Sequence, residues 1–138
     1  MGDWAWKHAK IQPVLYHRFG QALANIGSCP RVHGFVAGYG LIDETVSPPE
    51  LQKIEDSLQE IPNILYSGTP ECEFSDNRTL CKCTIPEGAV SEPVKCTMIG
   101  LLDVDGALLA VCTFLPEWIT PEKRYENYVY INFPTSEG

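Results

Sequence analysis

The chain has 138 residues, 44% apolar and 20% charged, with a formal net charge of −8 at pH 7. That length suits one domain with its own core, and only 10 scattered Lys and Arg argue against a phosphate-binding role, because nucleic-acid affinity rests on clustered cations that release counterions. No apolar run approaches the roughly 18 residues that a membrane helix needs, so a soluble chain is expected, with neither nucleic acid nor membrane among its partners.

The first stretch, Met1-Gly2-Asp3-Trp4-Ala5-Trp6-Lys7, lacks the apolar segment of a secretory signal, so synthesis and retention in a cytosol are expected. Residues 1–12 carry Trp4 and Trp6 and have two open readings: a docking arm, or aromatics tucked into the chain's own core. From Pro13, the spacing of Leu15, Phe19, Leu23 and Ile26 predicts a helix stopped by Gly27. Arg31 to Phe35 reads as a strand entering a Gly38-Tyr39-Gly40 turn. Ser47-Pro48-Pro49-Glu50 reads as the start of a second helix, with Leu51, Ile54, Leu58 and Ile61 on its apolar stripe and Pro62 as its end. After Asn63–Ser67 and a Gly68-Thr69-Pro70 break, strands are expected near 71–74, 78–85, 94–102, 107–114 and 126–133. Helices followed by a run of short strands predict an α+β domain, two helices on a mainly antiparallel sheet, spanning 1–138.

The sharpest local signal is Met98-Ile99-Gly100-Leu101-Leu102-Asp103-Val104-Asp105-Gly106-Ala107-Leu108-Leu109-Ala110-Val111. Asp-Gly between apolar runs marks a hairpin, because Gly accepts positive φ without steric cost and Asp tolerates it. Asp103, Asp105 and Gly106 are therefore read as turn residues. A calcium loop would need a Glu about six residues beyond the Gly, and Cys112 stands there instead.

With Ile85-Pro86-Glu87 before it, and Thr113-Phe114-Leu115-Pro116 and the alternating Tyr128-Val129-Tyr130-Ile131-Asn132-Phe133 after it, this hairpin resembles the N-terminal domain family of phage tail-collar fibre proteins. Val36-Ala37-Gly38-Tyr39-Gly40 is similar to that family's Ala-Val-Gly-Asp-Gly turn, with Tyr39 in place of the Asp. The resemblance covers roughly residues 14 to 133, and only the hairpin is specific. It implies a non-enzymatic structural protein of a phage tail, assembled in the host cytoplasm and resident in the virion. Its partners would be baseplate and fibre subunits, and copies of itself, with a trimer expected. Because the given sequence stops at Gly138, an adaptor or short fibre base is expected rather than a receptor-reading fibre.

The six cysteines, Cys29, Cys72, Cys81, Cys83, Cys96 and Cys112, lack the Cys-x2-Cys pairs of zinc ribbons. Buried free thiols, disulfides within or between chains, and zinc all stay open, with buried thiols the plainest reading. Cys81 and Cys83 share one face of a strand, so either would have to reach Cys72, Cys96 or a neighbouring subunit rather than the other. His8, His17 and His33 show no metal-ligand spacing, and no catalytic, metal or cofactor site is assigned. Tyr128 and Tyr130 share a strand face and join Trp4 and Trp6 as candidate interface residues. Two rival functions remain: a carbohydrate or small-ligand binding module, which the aromatic and acidic residues would permit, and a small cytosolic enzyme built on a pair such as Cys29 and His33.

Overall fold

Beyond residue 63 nearly every apolar stretch has the period of a strand, and strands dominate the molecule. The computed structural model describes residues 6–133. In chain order its elements are β1 (Lys7–His8), β2 (Lys10–Ile11), α1 (Pro13–Leu23), β3 (Gly34–Gly38), β4 (Ile42–Asp43), β5 (Glu50–Leu51), β6 (Ile64–Gly68), β7 (Glu71–Ser75), β8 (Arg78–Ile85), β9 (Val94–Leu102), β10 (Leu108–Ile119) and β11 (Tyr125–Asn132).

A four-stranded sheet in the order β1-β11-β8-β7 faces a five-stranded sheet in the order β2-β10-β9-β3-β6, and β4 with β5 makes a small hairpin apart. All pairings are antiparallel except β1 with β11. Inward-pointing residues of both sheets form the main core: Cys81, Cys83 and Ile85 of β8 and Val129 and Ile131 of β11 meet Phe35 of β3, Ile99 and Leu101 of β9, and Cys112 and Phe114 of β10. Ala9, fully buried, sits where the chain passes from β1 in one sheet to β2 in the other. Residues 7–11 of the candidate docking arm are thus paired within the chain's own sheets.

The fold is therefore mostly β with a single short helix among the described residues, which corrects the expected α+β architecture with two helices. The second helix, expected over 47–61, does not form. Leu51 pairs in β5, and Ile54, Leu58 and Ile61 instead lie on the outer face of the five-stranded sheet, against Val36, Met98, Leu108 and Val111. An irregular strap can bury these residues because a side chain replaces helical backbone bonds. The buried Gln12 amide donates to the carbonyls of Glu55 at 3.0 Å and Leu58 at 2.9 Å.

The helix that does form keeps its predicted start at Pro13, yet its stop is Asn25 rather than Gly27. Asn25 takes φ 63°, its N–H donates to the carbonyl of Ala22, and the N–H of Ile26 donates to that of Gln21, the paired bonds of a Schellman cap. Leu15 is buried, whereas Leu23 and Ile26 are exposed.

One glycine read as a turn residue proves to have another task. Gly38 closes β3 with ordinary φ, and the residue with positive φ here is Leu41. A Cβ at Gly38 would lie 2.5 Å from Ile61 Cγ2 and 2.6 Å from the Pro62 carbonyl oxygen, so glycine is needed there for the close approach of the strap. The strand expected over 31–35 accordingly runs over Gly34–Gly38 as β3.

Candidate functional site

Two sequence-flagged clusters acquire a geometry, and the first is the β9–β10 turn. Gly106, at φ +90°, donates its N–H to the Asp103 carbonyl at 2.9 Å, and Asp103 N–H reaches the Ala107 carbonyl at 2.9 Å. Asp103 is 5% exposed, and its carboxylate accepts from the backbone N–H of Val104 at 2.7 Å and that of Arg31 at 3.3 Å. Arg18 of α1 completes the cluster: its guanidinium donates to Asp103 at 2.7 Å and to both oxygens of Asp105 at 3.0 and 2.9 Å.

The electrostatic consequences follow from those bonds. Arg18, with the Ala107 N–H, holds the Asp105 carboxyl down at about 2. Burial pushes the Asp103 carboxyl up, but the Val104 N–H, Arg18 and the Arg31 N–H together outweigh it, leaving it below the usual carboxylate range. Both acids are occupied in tying the helix to the hairpin. Sequence reasoning missed Arg18, although a cation between Leu15 and Phe19 on the helix stripe is a signal that an acid must meet it.

The second cluster is the outer face of the four-stranded sheet. Because β8 and β11 are in register with Tyr128 opposite Lys82 and Tyr130 opposite Leu80, the even-numbered side chains of both strands point away from the core. Trp6, 43% exposed, packs edge-on against Tyr128 with ring centroids 5.1 Å apart. His8 lies against Tyr130 at 5.1 Å, and the Arg78 guanidinium lies 5.0 Å from the same ring. Glu126 binds this surface together: Tyr128 Oη donates to it at 2.9 Å, and Arg124 and Lys82 approach it at 2.7 and 3.6 Å. Accordingly the Tyr128 hydroxyl lowers the Glu126 carboxyl's pKa, while Glu126 raises that of the Tyr128 hydroxyl.

Beside Trp6 and Tyr128 a shallow cavity of about 240 Å³ is walled by Glu71, Glu73, Leu80 and Lys82. Of the four candidate interface residues, Trp6, Tyr128 and Tyr130 therefore share one face, and Trp4 lies outside the described residues. His8, weighed in the sequence only for metal-ligand spacing, is brought to this face by the β1–β11 pairing, whereas Arg78, Lys82 and Glu126 were not singled out there. Their signal is parity, legible only once the β8–β11 register is known.

A polar brace joins the two sheets. Lys7 pairs with Glu117 at 2.9 Å, Tyr125 donates its hydroxyl proton to the same carboxylate, and Asn127 Nδ2 donates to the Tyr125 hydroxyl at 2.7 Å. Burial raises the pKa of Tyr125 far above its ordinary value, which keeps the hydroxyl protonated and donating.

The cysteines divide by depth. Cys81, Cys83, Cys96 and Cys112 are buried, and Cys29 and Cys72 are exposed. Burial lifts Cys96 to about 11 and Cys112 to about 12, so both stay thiols and pack as small hydrophobes. Cys72 and Cys81 face each other across β7 and β8 with their sulfurs 3.3 Å apart. Among the described residues no group of three or more His, Cys, Asp or Glu is placed to hold a metal ion. No described helix is long and apolar enough to cross a membrane. Comparison with family models, with curated proteins and with solved structures finds no match to this chain.

Proposed function

We propose that this chain is a non-enzymatic attachment module of a phage tail, an adaptor that joins baseplate and fibre subunits and works as an oligomer. The observation that carries the reading is the fate of the stretch that resembles the tail-collar fibre family. Gly100–Val111 forms the hairpin at the centre of the five-stranded sheet, with Asp103 and Asp105 bound to Arg18. Residues engaged in this way serve a rigid scaffold. The aromatic face of the other sheet supplies the docking surface, since large, stiff side chains such as Trp6 and Tyr128 give contact area at little entropic cost.

Immunogold electron microscopy of purified particles from the source, with antibody against this chain, tests the proposal. Label at the distal end of the tail is the expected result. Absence from intact particles, with antibody access verified on disrupted ones, overturns it.

A second reading has an observation of its own. The cavity beside Trp6 and Tyr128, edged by Glu71 and Glu73, has the pairing of ring faces and carboxylates that suits a sugar, whose C–H faces stack on rings while its hydroxyls donate to acids. Saturable binding on a glycan array, abolished in Trp6→Ala, would favour this module over the tail adaptor.

A further inference from the structure

We propose that Cys72 and Cys81 are a redox-active pair that closes to a cross-strand disulfide and fixes the edge strand β7 to β8, which goes beyond the attachment reading and does not rest on it. The two residues are register partners in an antiparallel ladder, Cys72 opposite Cys81. Directly opposed residues in such a ladder have Cα atoms about 4.5–5.5 Å apart, inside the range of roughly 4.4–6.8 Å that a disulfide bridges. Their sulfurs are already 3.3 Å apart, so bonding requires a small side-chain rotation and no movement of the strands.

The pair is also the reachable one. Cys81 is buried in the core, while Cys72 is exposed on a strand whose five residues are all exposed. β7 is bonded on one side only, by β8, at the edge of its sheet. The hydrogen bond between the two sulfurs lowers the pKa of the Cys72 thiol and raises that of Cys81, so the nucleophile forms on the accessible member. Cys83, Cys96 and Cys112 lie in the core, held as thiols by burial.

The oxidant is a low-molecular-weight disulfide of the glutathione class. The Cys72 thiolate attacks one of its sulfurs, forming a mixed disulfide and releasing one glutathione thiolate. Cys81 then loses its proton and its sulfur attacks the Cys72 sulfur, breaking the mixed disulfide and releasing the second glutathione. In sum two protein thiols are oxidised, two electrons reduce the glutathione disulfide, and the two protons end on the two glutathione thiols.

The folded, reduced protein is incubated with oxidised glutathione, quenched by alkylation, and mapped by non-reducing peptide mass spectrometry. The expected product is one peptide pair joined through Cys72 and Cys81 and two hydrogens lighter than the reduced pair, with Cys83, Cys96 and Cys112 alkylated only after unfolding. Cys81→Ser is expected to stop at a glutathione adduct on Cys72, and Cys72→Ser, at an exposed position that leaves the fold intact, is expected to form neither product. A wild-type protein that stops at the Cys72 adduct, or that links Cys72 to Cys29 or to a second chain, overturns the proposal.

Discussion

The two sheets bury their inner faces alike and treat their outer faces in opposite ways. The outer face of the five-stranded sheet carries Val36, Met98, Leu108 and Val111 beneath the strap of Leu41, Ile54, Leu58 and Ile61. The outer face of the four-stranded sheet carries Tyr128, Tyr130, Lys82 and Glu126 beside a partly exposed Trp6. The difference lies in the strands. β9 is buried continuously from Cys96 to Leu101, so water is excluded from both of its sides, whereas β8 and β11 alternate and need burial on one side alone. One outer face is therefore covered by the strap, and the other carries aromatic and charged side chains.

The strap side should be the easiest to break. Gly38→Ala places a Cβ against Ile61 and the Pro62 carbonyl oxygen, a backbone atom that cannot swing aside. Overpacking of this kind should lower stability by roughly 3 kcal/mol in urea unfolding. An unchanged midpoint would mean that the strap is not held against β3.

Gln12→Ala tests the same face from beneath. It strips the Glu55 and Leu58 carbonyls of their side-chain donor and should cost about 2 kcal/mol, with hydrogen exchange rising across 52–60 and not in β11. Exchange that rises equally in both sheets would contradict the division between the faces.

Much of the long strands in both sheets was legible in the sequence, and much of the strap was not. β8 and β9 have the expected bounds, 78–85 and 94–102, because alternation and a continuous apolar run are local properties of the chain. The hairpin turn and its Gly106 were readable for the same reason. The second helix was misread because Ile54, Leu58 and Ile61 have helical spacing, while Gln12, more than forty residues away, decides how the backbone beneath them is bonded. β10 runs on to Ile119 through Pro116, where a register shift between Thr113 and Glu117 leaves room for a residue without an N–H. The aromatic cluster is legible only in part: the Tyr128 and Tyr130 parity is local, but the approach of Trp6 and His8 depends on the parallel β1–β11 pairing.

Acid should loosen the hairpin tie as its two carboxylates protonate. Asp103 and Asp105 have folded pKa values below the ordinary carboxylate, Asp105 down at about 2, so their contribution is complete above about pH 4 and is lost as the pH falls through the folded values. The wild type should therefore lose stability between about pH 4 and pH 2. Arg18→Met should be weaker at neutral pH by about 1–2 kcal/mol, mainly from the buried Asp103, and should lose less over the acid window. Parallel pH profiles for the two proteins would show that the tie contributes nothing.

The smallest effect on stability should be the most telling for function. Trp6→Ala removes one edge-on ring contact at a partly exposed position and should cost under about 1 kcal/mol of folding stability. Ile61→Ala, at a buried strap position, should cost about 2–4 kcal/mol. If the aromatic face docks the chain, the order reverses when incorporation into purified particles is measured per folded molecule. Trp6→Ala should then lose about 2 kcal/mol of docking, a roughly thirty-fold drop, while Ile61→Ala keeps the wild-type level. Equal incorporation of both variants would remove the aromatic face from assembly and leave its cavity to the sugar-binding reading, because a surface that contributes little to stability and nothing to docking still presents Trp6 and two acids to a ligand.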